Sequence, residues 1–329
     1  MSKELPTKNY ALDLARVTES AALAAARWLG KGNKEAGDEA AVEAMRVSFK
    51  TLDIRGVVVI GEGEKDKAPM LYNGEEVGSG NGPEMDIAVD PVEGTKLLAD
   101  GKMNSISVVA MAPKGSMFDI KPALYVAKLA VPEAARNVVD IEAPVEDNLK
   151  NIAKALGKDV SELTVFVLEK KRHERLIAEI RKIGARIQLH TDGDVFGVLM
   201  AVAGNTDVDV LMGTGGAPEA ILSAVAVKIL GGELLVKYDP QSEEERESLK
   251  KAGVDMNRVF RVDDLVKSDD IYFSATGISG GVFLRGVRFT GNGAVTHTMV
   301  MRGKTGTVRY IESHHRFDKL MEISVIKYK

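Results

Sequence analysis

The sequence contains no cysteine, and this absence excludes several kinds of chemistry at once. Disulfides, thiolate zinc sites, iron–sulfur clusters and a cysteine nucleophile all need a thiol that the 329-residue chain lacks. Aromatic residues are also scarce, at 5% of the chain with one tryptophan, whereas glycine occurs 32 times. Many glycines with few aromatics indicate tight loops in which the backbone approaches a ligand. Because the lack of thiols fits a reducing compartment, we expect a cytoplasmic protein.

Long apolar and long basic runs are missing as well. No stretch approaches the ~18 uninterrupted apolar residues of a membrane-spanning helix, and residues 1–10 are polar, without an apolar signal core. The 44 Lys and Arg residues oppose 48 Asp and Glu residues, which gives a net charge of −4 and argues against nucleic acid as the main partner. These absences leave an ordinary globular protein whose main partner is neither a membrane nor a nucleic acid.

The length of the chain predicts two domains, because a single hydrophobic core stops growing at ~250–300 residues. From about residue 148, helical and β-branched segments alternate, which indicates a layered α/β unit. After residue 269 the pattern becomes strand-rich, with turns marked by glycine. We therefore expect a mixed α/β fold with an N-terminal domain at 1–155 and a C-terminal domain at 156–329, divided close to the acidic loop at 142–147.

The segment 86–95, with the sequence DIAVDPVEGT, carries the most informative group of polar residues. A strand is expected to end at Pro91, so that carboxylates, a flexible backbone and a hydroxyl meet in one small volume: Asp90, Glu93, Gly94 and Thr95. Such a group suits a hard divalent cation together with a phosphate. The alternative is a turn with a helix N-cap, in which Glu93 and Thr95 solvate the first helical turn.

Two further glycine-rich loops follow predicted strands. The β-branched run at 57–60 leads into Gly61-Glu62-Gly63-Glu64, where the glycines would let a ligand approach Glu62. Residues 213–219 are predicted to form a glycine-rich turn that opens a helix at Pro218 and Glu219, where free amides and a positive dipole end suit an anion. The plainer interpretations are a solvated charged loop and, for Glu219, a charge that complements the helix dipole.

Other candidates for ligand binding are basic or polar. Lys170, Lys171 and Arg172 follow a predicted strand at a predicted helix start, where cations are unfavourable unless an anion is present. Surface lysines that cover apolar groups are the alternative. Asp192-Gly193-Asp194 follows another predicted strand and suits either sugar hydroxyls or an Asx turn. The five histidines have no zinc-ligand spacing, and most are expected to be polar surface residues.

These segments together resemble the class II fructose-1,6-bisphosphatases of bacteria, within the lithium-sensitive sugar and inositol phosphatase superfamily. The resemblance covers nearly the whole chain. Asp-Pro-Val-Glu-Gly-Thr at 90–95 is typical of the superfamily, whereas Gly-Glu-Gly-Glu at 61–64 and Gly-Gly-Ala-Pro-Glu at 215–219 are typical of this class. The resemblance implies a two-domain layered α/β/α/β/α sugar-phosphatase fold. It also implies hydrolysis of the 1-phosphate of D-fructose 1,6-bisphosphate to fructose 6-phosphate, a reaction of gluconeogenesis.

The resemblance implies a role for each matching position. Mn²⁺ or Mg²⁺ would be held by five carboxylates: Asp38, Glu62, Asp90, Glu93 and Glu219. The catalytic positions would be Thr95, which would orient the attacking water, Glu62 and Lys34. The sugar bisphosphate would be bound by Glu93, Gly94, Thr95, Tyr125, Lys170, Lys171, Arg172, Asp192, Gly193, Asp194 and Gly216. The expected mechanism is direct in-line attack by a metal-bound water, and the expected assembly is a homo-oligomer, either a dimer or a tetramer.

Two segments on the substrate side depart from the family pattern. Residues 170–173 read Lys-Lys-Arg-His where Lys-Pro-Arg-His is common, and residues 121–124 lack the Asp and Met that often precede Tyr125. Sedoheptulose-1,7-bisphosphatase, or another sugar or inositol phosphatase of the superfamily, is therefore the alternative. An aspartyl-phosphate phosphatase is disfavoured by Phe196, which stands where that class has Thr or Val. The presence of four expected residues, Asp90, Glu93, Thr95 and Glu219, argues against a non-catalytic metal-binding module.

Overall fold

The computed structural model describes residues 8–63, 70–204, 206–323 and 326. The strands in chain order are β1 (Arg55–Ile60), β2 (Glu76–Val77), β3 (Glu84–Glu93), β4 (Ile106–Pro113), β5 (Tyr125–Val131), β6 (Thr164–Leu168), β7 (Arg186–His190), β8 (Val210–Gly216), β9 (Glu233–Tyr238), β10 (Val259–Phe260), β11 (Tyr272–Gly277), β12 (Arg288–Thr290), β13 (Gly293–Arg302) and β14 (Thr307–Arg316). The helices are α1 (Ala11–Ala25), α2 (Lys34–Phe49), α3 (Thr95–Asp100), α4 (Val145–Leu156), α5 (Glu174–Ile183), α6 (Asp194–Val202), α7 (Ala217–Leu230), α8 (Glu243–Lys251), α9 (Val262–Leu265) and α10 (Phe317–Ile323).

Two mixed β-sheets organise these elements. The first has the order β12-β13-β11-β4-β3-β1-β2, with β14 paired to β13, and the second has the order β10-β9-β5-β8-β6-β7. In the first sheet β1 runs parallel to β3, and in the second β6 runs parallel to β7 and β8, whereas the other pairs are antiparallel. The mixed α/β fold class predicted from the sequence is thus confirmed.

The helices form layers around the sheets. Helix α1 packs on β3, β4, β11 and β13 of the first sheet and pairs with α2. Helices α6 and α7 lie between the two sheets, since α7 contacts β1, β3 and β4 as well as β5, β8 and β9. Helices α4 and α5 share a core with the outer face of the second sheet, in which Leu149 and Ile152 pack near Val165 and Val167. The layer order is α/β/α/β/α, as the resemblance implied.

The helices of the central layer, α6 and α7, are apolar on nearly every side, and this fixes the position of their first turns. Helix α7 buries Ile221, Leu222, Val225 and most of its other residues, and such a helix must be enclosed by other elements. Its first turn, and that of α6, therefore cannot move independently of the sheets. Among the described residues, no helix combines the length and apolarity needed to cross a bilayer.

The two sheets do not divide the chain at residue 155, where the domain division is predicted. Strand β5 precedes that division but lies in the second sheet, and strands β11 to β14 return to the first sheet. The return is made by antiparallel pairing of β11 with β4, in which Ser274 lies opposite Val109. The division into domains at 155 stays a prediction. The strands of the first sheet come from residues 55–113 and 272–316, and those of the second sheet come from residues 125–260.

The expectation that Pro91 ends a strand is wrong. Strand β3 continues through Pro91 to Glu93, with a register shift against β4 between Asp90 and Glu93. A bulge of this kind tolerates proline because the bulged residue does not need an N–H for a hydrogen bond to the neighbouring strand. The shift leaves Asp90 half-buried and Glu93 buried at the end of one continuous strand.

Two other boundaries place residues of the predicted site, and the second differs from the sequence prediction. Helix α2 begins at Lys34, because the Asn33 side chain accepts a hydrogen bond of 3.0 Å from Ala36 N and caps the helix there. Strand β8 extends to Gly216 and leads directly into α7, so the predicted turn at 213–216 is extended backbone. Asp38 consequently lies inside α2, one turn after its start.

Candidate active site

A cleft of 390 Å³ opens where the end of β1, the β3–α3 junction and the start of α7 meet. It is lined by residues from five separate segments, which include every predicted metal ligand: Asp38, Glu62, Asp90, Glu93 and Glu219. Gly94, Thr95 and Asp192 line the same cleft. Glu64, the last residue of the Gly-Glu-Gly-Glu motif, lies outside the described residues. The structure therefore brings the predicted acidic residues and the predicted phosphate turn to one place.

Three of these carboxylates are close enough to share a metal ion. Asp90, Glu93 and Glu219 each offer an oxygen atom, and these atoms lie within 4.8 Å of one another. The backbone fixes two of them, since Val92 N donates to Asp90 Oδ1 at 3.1 Å and Val195 N donates to Glu93 Oε1 at 2.8 Å. The second of these bonds ties the end of β3 to the first turn of α6.

The third carboxylate has an oxygen without a hydrogen-bond partner in the described part of the chain. Glu219 Oε2 is buried and accepts no hydrogen bond from a described residue, and a buried carboxylate oxygen of this kind is costly unless a cation or donor reaches it. The donor set around it consists entirely of oxygen atoms, which Mg²⁺ and Mn²⁺ prefer. The residues present therefore fit a divalent metal ion.

The pKa values show how strongly these carboxylates are crowded. Burial, with repulsion from Asp38 and Glu219, raises the pKa of Glu62 to about 8. Burial likewise raises the pKa of Glu93 to about 8 and, with repulsion from Glu35, that of Asp38 to about 6. Burial and the neighbouring Glu93 hold the pKa of Asp90 well above its usual range. Burial and like charge thus raise the pKa of all four of these carboxylates.

The turn beside the carboxylates has the backbone conformation expected of glycine. Gly94 has a φ of 82°, and Thr95 follows it as the first residue of α3. A Cβ atom at Gly94 would also lie 3.0 Å from Leu97 Cδ1. Position 94 therefore favours glycine because of its conformation, and a Cβ atom there would also press on the Leu97 side chain. Thr95 is placed at the wall of the cleft.

Lys34 lies at the edge of this arrangement. It is the first residue of α2, one turn before Asp38. Its ammonium group lies 3.6 Å from the carboxylate of Glu35, and its side chain is 60% exposed. Lys34 does not line the described cleft, and its predicted catalytic role stays a prediction.

A second group of predicted substrate residues assembles on β5 and β8. Tyr125 pairs with Gly216 across the two strands. The guanidinium of Arg172 lies over the Tyr125 ring, 5.1 Å from its centroid, and donates from Nε and Nη2 to the Thr214 carbonyl at 3.1 and 2.9 Å. Lys170 and Lys171 instead border a neighbouring shallow groove with Glu169 and Glu174. Arg172 is therefore the member of the basic cluster that contacts the other predicted substrate residues.

The predicted sugar-binding segment lies at the start of α6. Gly193 has a φ of 99° and Asp194 begins the helix. The Asp194 carboxylate is mostly buried and forms an ion pair with Lys128, whose side chain has no exposed surface. Lys128 also opposes the effect of burial on the pKa of Glu219. Sequence reasoning missed Lys128, although a lone lysine within the apolar strand at 126–131 was a signal that its charge has a buried partner.

Comparison with known proteins shows the family of the chain. The family model described as bacterial fructose-1,6-bisphosphatase, glpX-encoded, matches residues 8–315. Fructose-1,6-bisphosphatase 1 class 2 of Escherichia coli strain K12 is 44% identical over 325 residues, which cover 95% of this chain and 96% of that protein. The fructose-1,6-bisphosphatase class 2 proteins of Escherichia coli O6:H1 and Shigella flexneri match with the same identity and coverage. The chain therefore belongs to the bacterial, glpX-encoded fructose-1,6-bisphosphatase family.

Proposed function

We propose that the protein hydrolyses the 1-phosphate of D-fructose 1,6-bisphosphate, with fructose 6-phosphate and inorganic phosphate as products. The observation that carries this proposal is the cleft of five carboxylates, in which Glu219 Oε2 is buried beside the Gly94–Thr95 turn and has no hydrogen-bond partner among the described residues. Membership of the family supports the choice of substrate, since relatives with 44% identity bear the name of this activity.

Asp38, Glu62, Asp90, Glu93 and Glu219 would hold the divalent metal, either Mn²⁺ or Mg²⁺. When bound, such ions neutralise the charge of a phosphate and lower the pKa of a water molecule. This matters because phosphate monoesters are among the slowest biological molecules to hydrolyse, so that catalysis must stabilise much developing charge. The five carboxylates would contribute by holding the cations in fixed positions, and backbone hydrogen bonds orient two of them, Asp90 and Glu93.

The chain's own groups would then position the reacting partners. Thr95 lines the cleft with Glu93 and Gly94, where its hydroxyl would orient the attacking water and contact the phosphate. Glu62 is the second proposed catalytic group. Lys34 would approach the reacting phosphate by leaving its exposed pair with Glu35, and leaving such a pair costs little free energy.

The distal phosphate would bind at Arg172. Two of the five guanidinium N–H groups are used on the Thr214 carbonyl, so three stay available for an anion. Lys170 and Lys171 would add positive potential nearby. The sugar would lie between the two phosphate sites, in contact with Tyr125 and with four residues of the segments that meet there: Asp192, Gly193, Asp194 and Gly216.

A substrate panel tests this proposal. Phosphate release by the purified protein in Mn²⁺ is measured with fructose 1,6-bisphosphate, sedoheptulose 1,7-bisphosphate, inositol 1-phosphate and p-nitrophenyl phosphate. We expect the highest kcat/KM for fructose 1,6-bisphosphate, with one phosphate released per sugar. A higher value for sedoheptulose 1,7-bisphosphate would move the assignment to that sugar. Absence of release from every substrate would contradict the enzyme assignment and favour a metal-binding module.

A further inference from the structure

His173, which directly follows Arg172, is buried with 3% of its surface exposed. Both ring nitrogens have backbone partners: Nδ1 lies 2.7 Å from the Leu168 carbonyl, and Nε2 lies 2.7 Å from the N–H of Thr214. A carbonyl only accepts a hydrogen bond and a backbone N–H only donates one. Nδ1 therefore carries the proton and Nε2 accepts, so the two contacts fix a neutral ring in one tautomer.

The packing around the ring agrees with a neutral histidine. Gly213 has a φ of 140°, and a Cβ atom there would lie 3.0 Å from the ring, so the ring occupies space that only glycine leaves free. Burial is the main reason why the pKa of His173 is lowered. The charged groups that face it are Arg172, which lowers the pKa further, and Asp194 and Asp239, which raise it.

The consecutive residues Arg172 and His173 both form hydrogen bonds with Thr214 of β8. The Thr214 N–H donates to His173, while the Thr214 carbonyl accepts from Nε and Nη2 of Arg172. The 3₁₀ turn Lys171–His173 is thereby attached to β8 at two points. Loss of the His173 contact would leave the guanidinium as the only one of these two attachments, so the turn that carries Arg172 would be held less firmly before the ligand arrives.

We propose that His173 is a positioning residue for the second phosphate site, where it acts as a neutral hydrogen-bond acceptor that holds Arg172 against β8. The inference rests on the proposed function, because the ligand of Arg172 is taken to be the distal phosphate of a sugar bisphosphate. A side chain that is ordered beforehand loses less conformational entropy when it binds. The ordering of Arg172 should therefore increase substrate affinity without changing the rate of the reaction at the other phosphate.

Two amide variants separate the acceptor from the rest of the side chain. In His173→Gln the side-chain oxygen can reach the position of Nε2, whereas the shorter side chain of His173→Asn reaches only the position of Nδ1. We expect His173→Asn to raise KM for fructose 1,6-bisphosphate about 2- to 10-fold, as for one lost neutral hydrogen bond. His173→Gln should restore most of the affinity, and kcat/KM for p-nitrophenyl phosphate should stay unchanged in both.

His315→Asn is the matched control for loss of a histidine ring. His315 Nε2 has a hydrogen bond of 2.8 Å with Thr296 Oγ1, and the two strands that carry these residues, β14 and β13, do not line the described cleft. This variant should leave KM for fructose 1,6-bisphosphate and kcat/KM for p-nitrophenyl phosphate unchanged.

A double-mutant cycle with Arg172→Ala distinguishes positioning from a general structural effect. If His173 acts through Arg172, His173→Asn should raise KM in the wild type but not in Arg172→Ala. An equal rise in both backgrounds, or an equal loss of kcat on both substrates, would overturn the inference. Failure of the wild type to hydrolyse fructose 1,6-bisphosphate would instead overturn the proposed function.

A measurement on the unmodified protein covers the case in which the Asn variant does not fold. Nitrogen-15 NMR at pH 7 should show one histidine that is neutral and protonated at Nδ1, and this signal should be missing in His173→Gln. A cationic or Nε2-protonated ring at His173 would contradict the acceptor role.

Discussion

Glu219 shows how a single side chain can be placed so that only a cation completes its surroundings. A Cβ atom at Gly216 would lie 1.9 Å from Glu219 Oε2, so the carboxylate rests directly on the backbone of β8. Burial raises the pKa of Glu219, and the positive charge of Lys128 only partly opposes this effect. The carboxylate is held in place, and no residue that the structure describes donates to its Oε2 atom, which is the state of a ligand prepared for a metal.

Thr95 is the residue at which catalysis and binding can be separated. Thr95→Ala removes a hydroxyl at the wall of the cleft and leaves the carboxylates intact. Turnover of fructose 1,6-bisphosphate should fall roughly 10²–10⁴-fold, as for loss of one positioning or proton-transfer group, with little change in KM. Thr95→Ser keeps the hydroxyl and should retain most of the turnover. A sharp rise in KM at normal kcat would make Thr95 a binding residue instead.

Arg172 provides the corresponding test for the distal phosphate. Arg172→Ala should raise KM for fructose 1,6-bisphosphate by roughly 10–150-fold, as for a lost charge-assisted hydrogen bond of about 1.5–3 kcal/mol. Hydrolysis of p-nitrophenyl phosphate, which has one phosphate, should be nearly unaffected. Arg172→Lys keeps the charge without the planar fork and should have an intermediate KM. Equal damage to both substrates would place Arg172 at the reacting phosphate.

At the scale of single elements, the sequence predicted most of what positions the site. The β-branched run before Gly61 is β1, and the segment that delivers Asp90 is β3. The continuation of β3 beyond Pro91 could not be predicted, because the bulge depends on the register with β4. Lys128 was missed for a similar reason, since its partner Asp194 lies 66 residues away in the chain.

The turn between β3 and α3 allows a stability effect to be separated from a site effect. Gly94 and Gly115 have φ values of 82° and 76°, but a Cβ atom would meet Leu97 at 3.0 Å only at position 94. Alanine in this left-handed conformation should cost roughly 1–2 kcal/mol of unfolding free energy at either position. Gly94→Ala should also shift Thr95 and lower turnover by about 10²-fold, the loss expected from a 1 Å misplacement.

Gly94→Ala and Gly115→Ala are compared by thermal unfolding and by phosphate release. Gly115→Ala should lose stability while it keeps normal kcat for fructose 1,6-bisphosphate. If both variants keep normal kcat, the exact conformation of the Gly94 turn does not matter for the reaction.

At the scale of the whole molecule, the long-range order of the strands was the least predictable feature. Local patterns indicated strands after residue 269, but they could not show that β11 pairs with β4 and completes the first sheet. Antiparallel partners so far apart leave no signal in the segments between them. The homo-oligomeric state and the cytoplasmic location also stay predictions, since both concern surfaces and surroundings beyond a single chain.

The crowded cleft predicts a pH-dependent stabilisation by metal. Without cations, Glu62 and Glu93 have pKa values of about 8 instead of 4.5. The folded state therefore binds more protons than the unfolded state between these values, and the metal-free protein should lose stability as pH rises from about 4.5 to about 8. Bound Mn²⁺ removes this repulsion, so the rise in Tm on addition of Mn²⁺ should be larger at pH 8 than at pH 6.

Two variants of β3 show whether the metal effect belongs to the cleft. Asp90→Asn removes a carboxylate oxygen from the trio and should reduce the rise in Tm strongly. Glu84→Gln changes an exposed carboxylate on the same strand, which pairs with Lys114 at 2.9 Å, and should keep the full rise. Equal rises in both variants would show that Mn²⁺ binds elsewhere.

The most direct test of metal-dependent hydrolysis is phosphate release from fructose 1,6-bisphosphate by protein that has been dialysed against a chelator, before and after Mn²⁺ or Mg²⁺ is added. We expect no release without a divalent ion and full recovery when the ion is supplied to the wild type. Glu219→Gln, which retains the shape of the side chain without its charge, should need a much higher ion concentration. Full phosphate release by the wild type in excess chelator would show that the carboxylate cleft does not act through a metal ion.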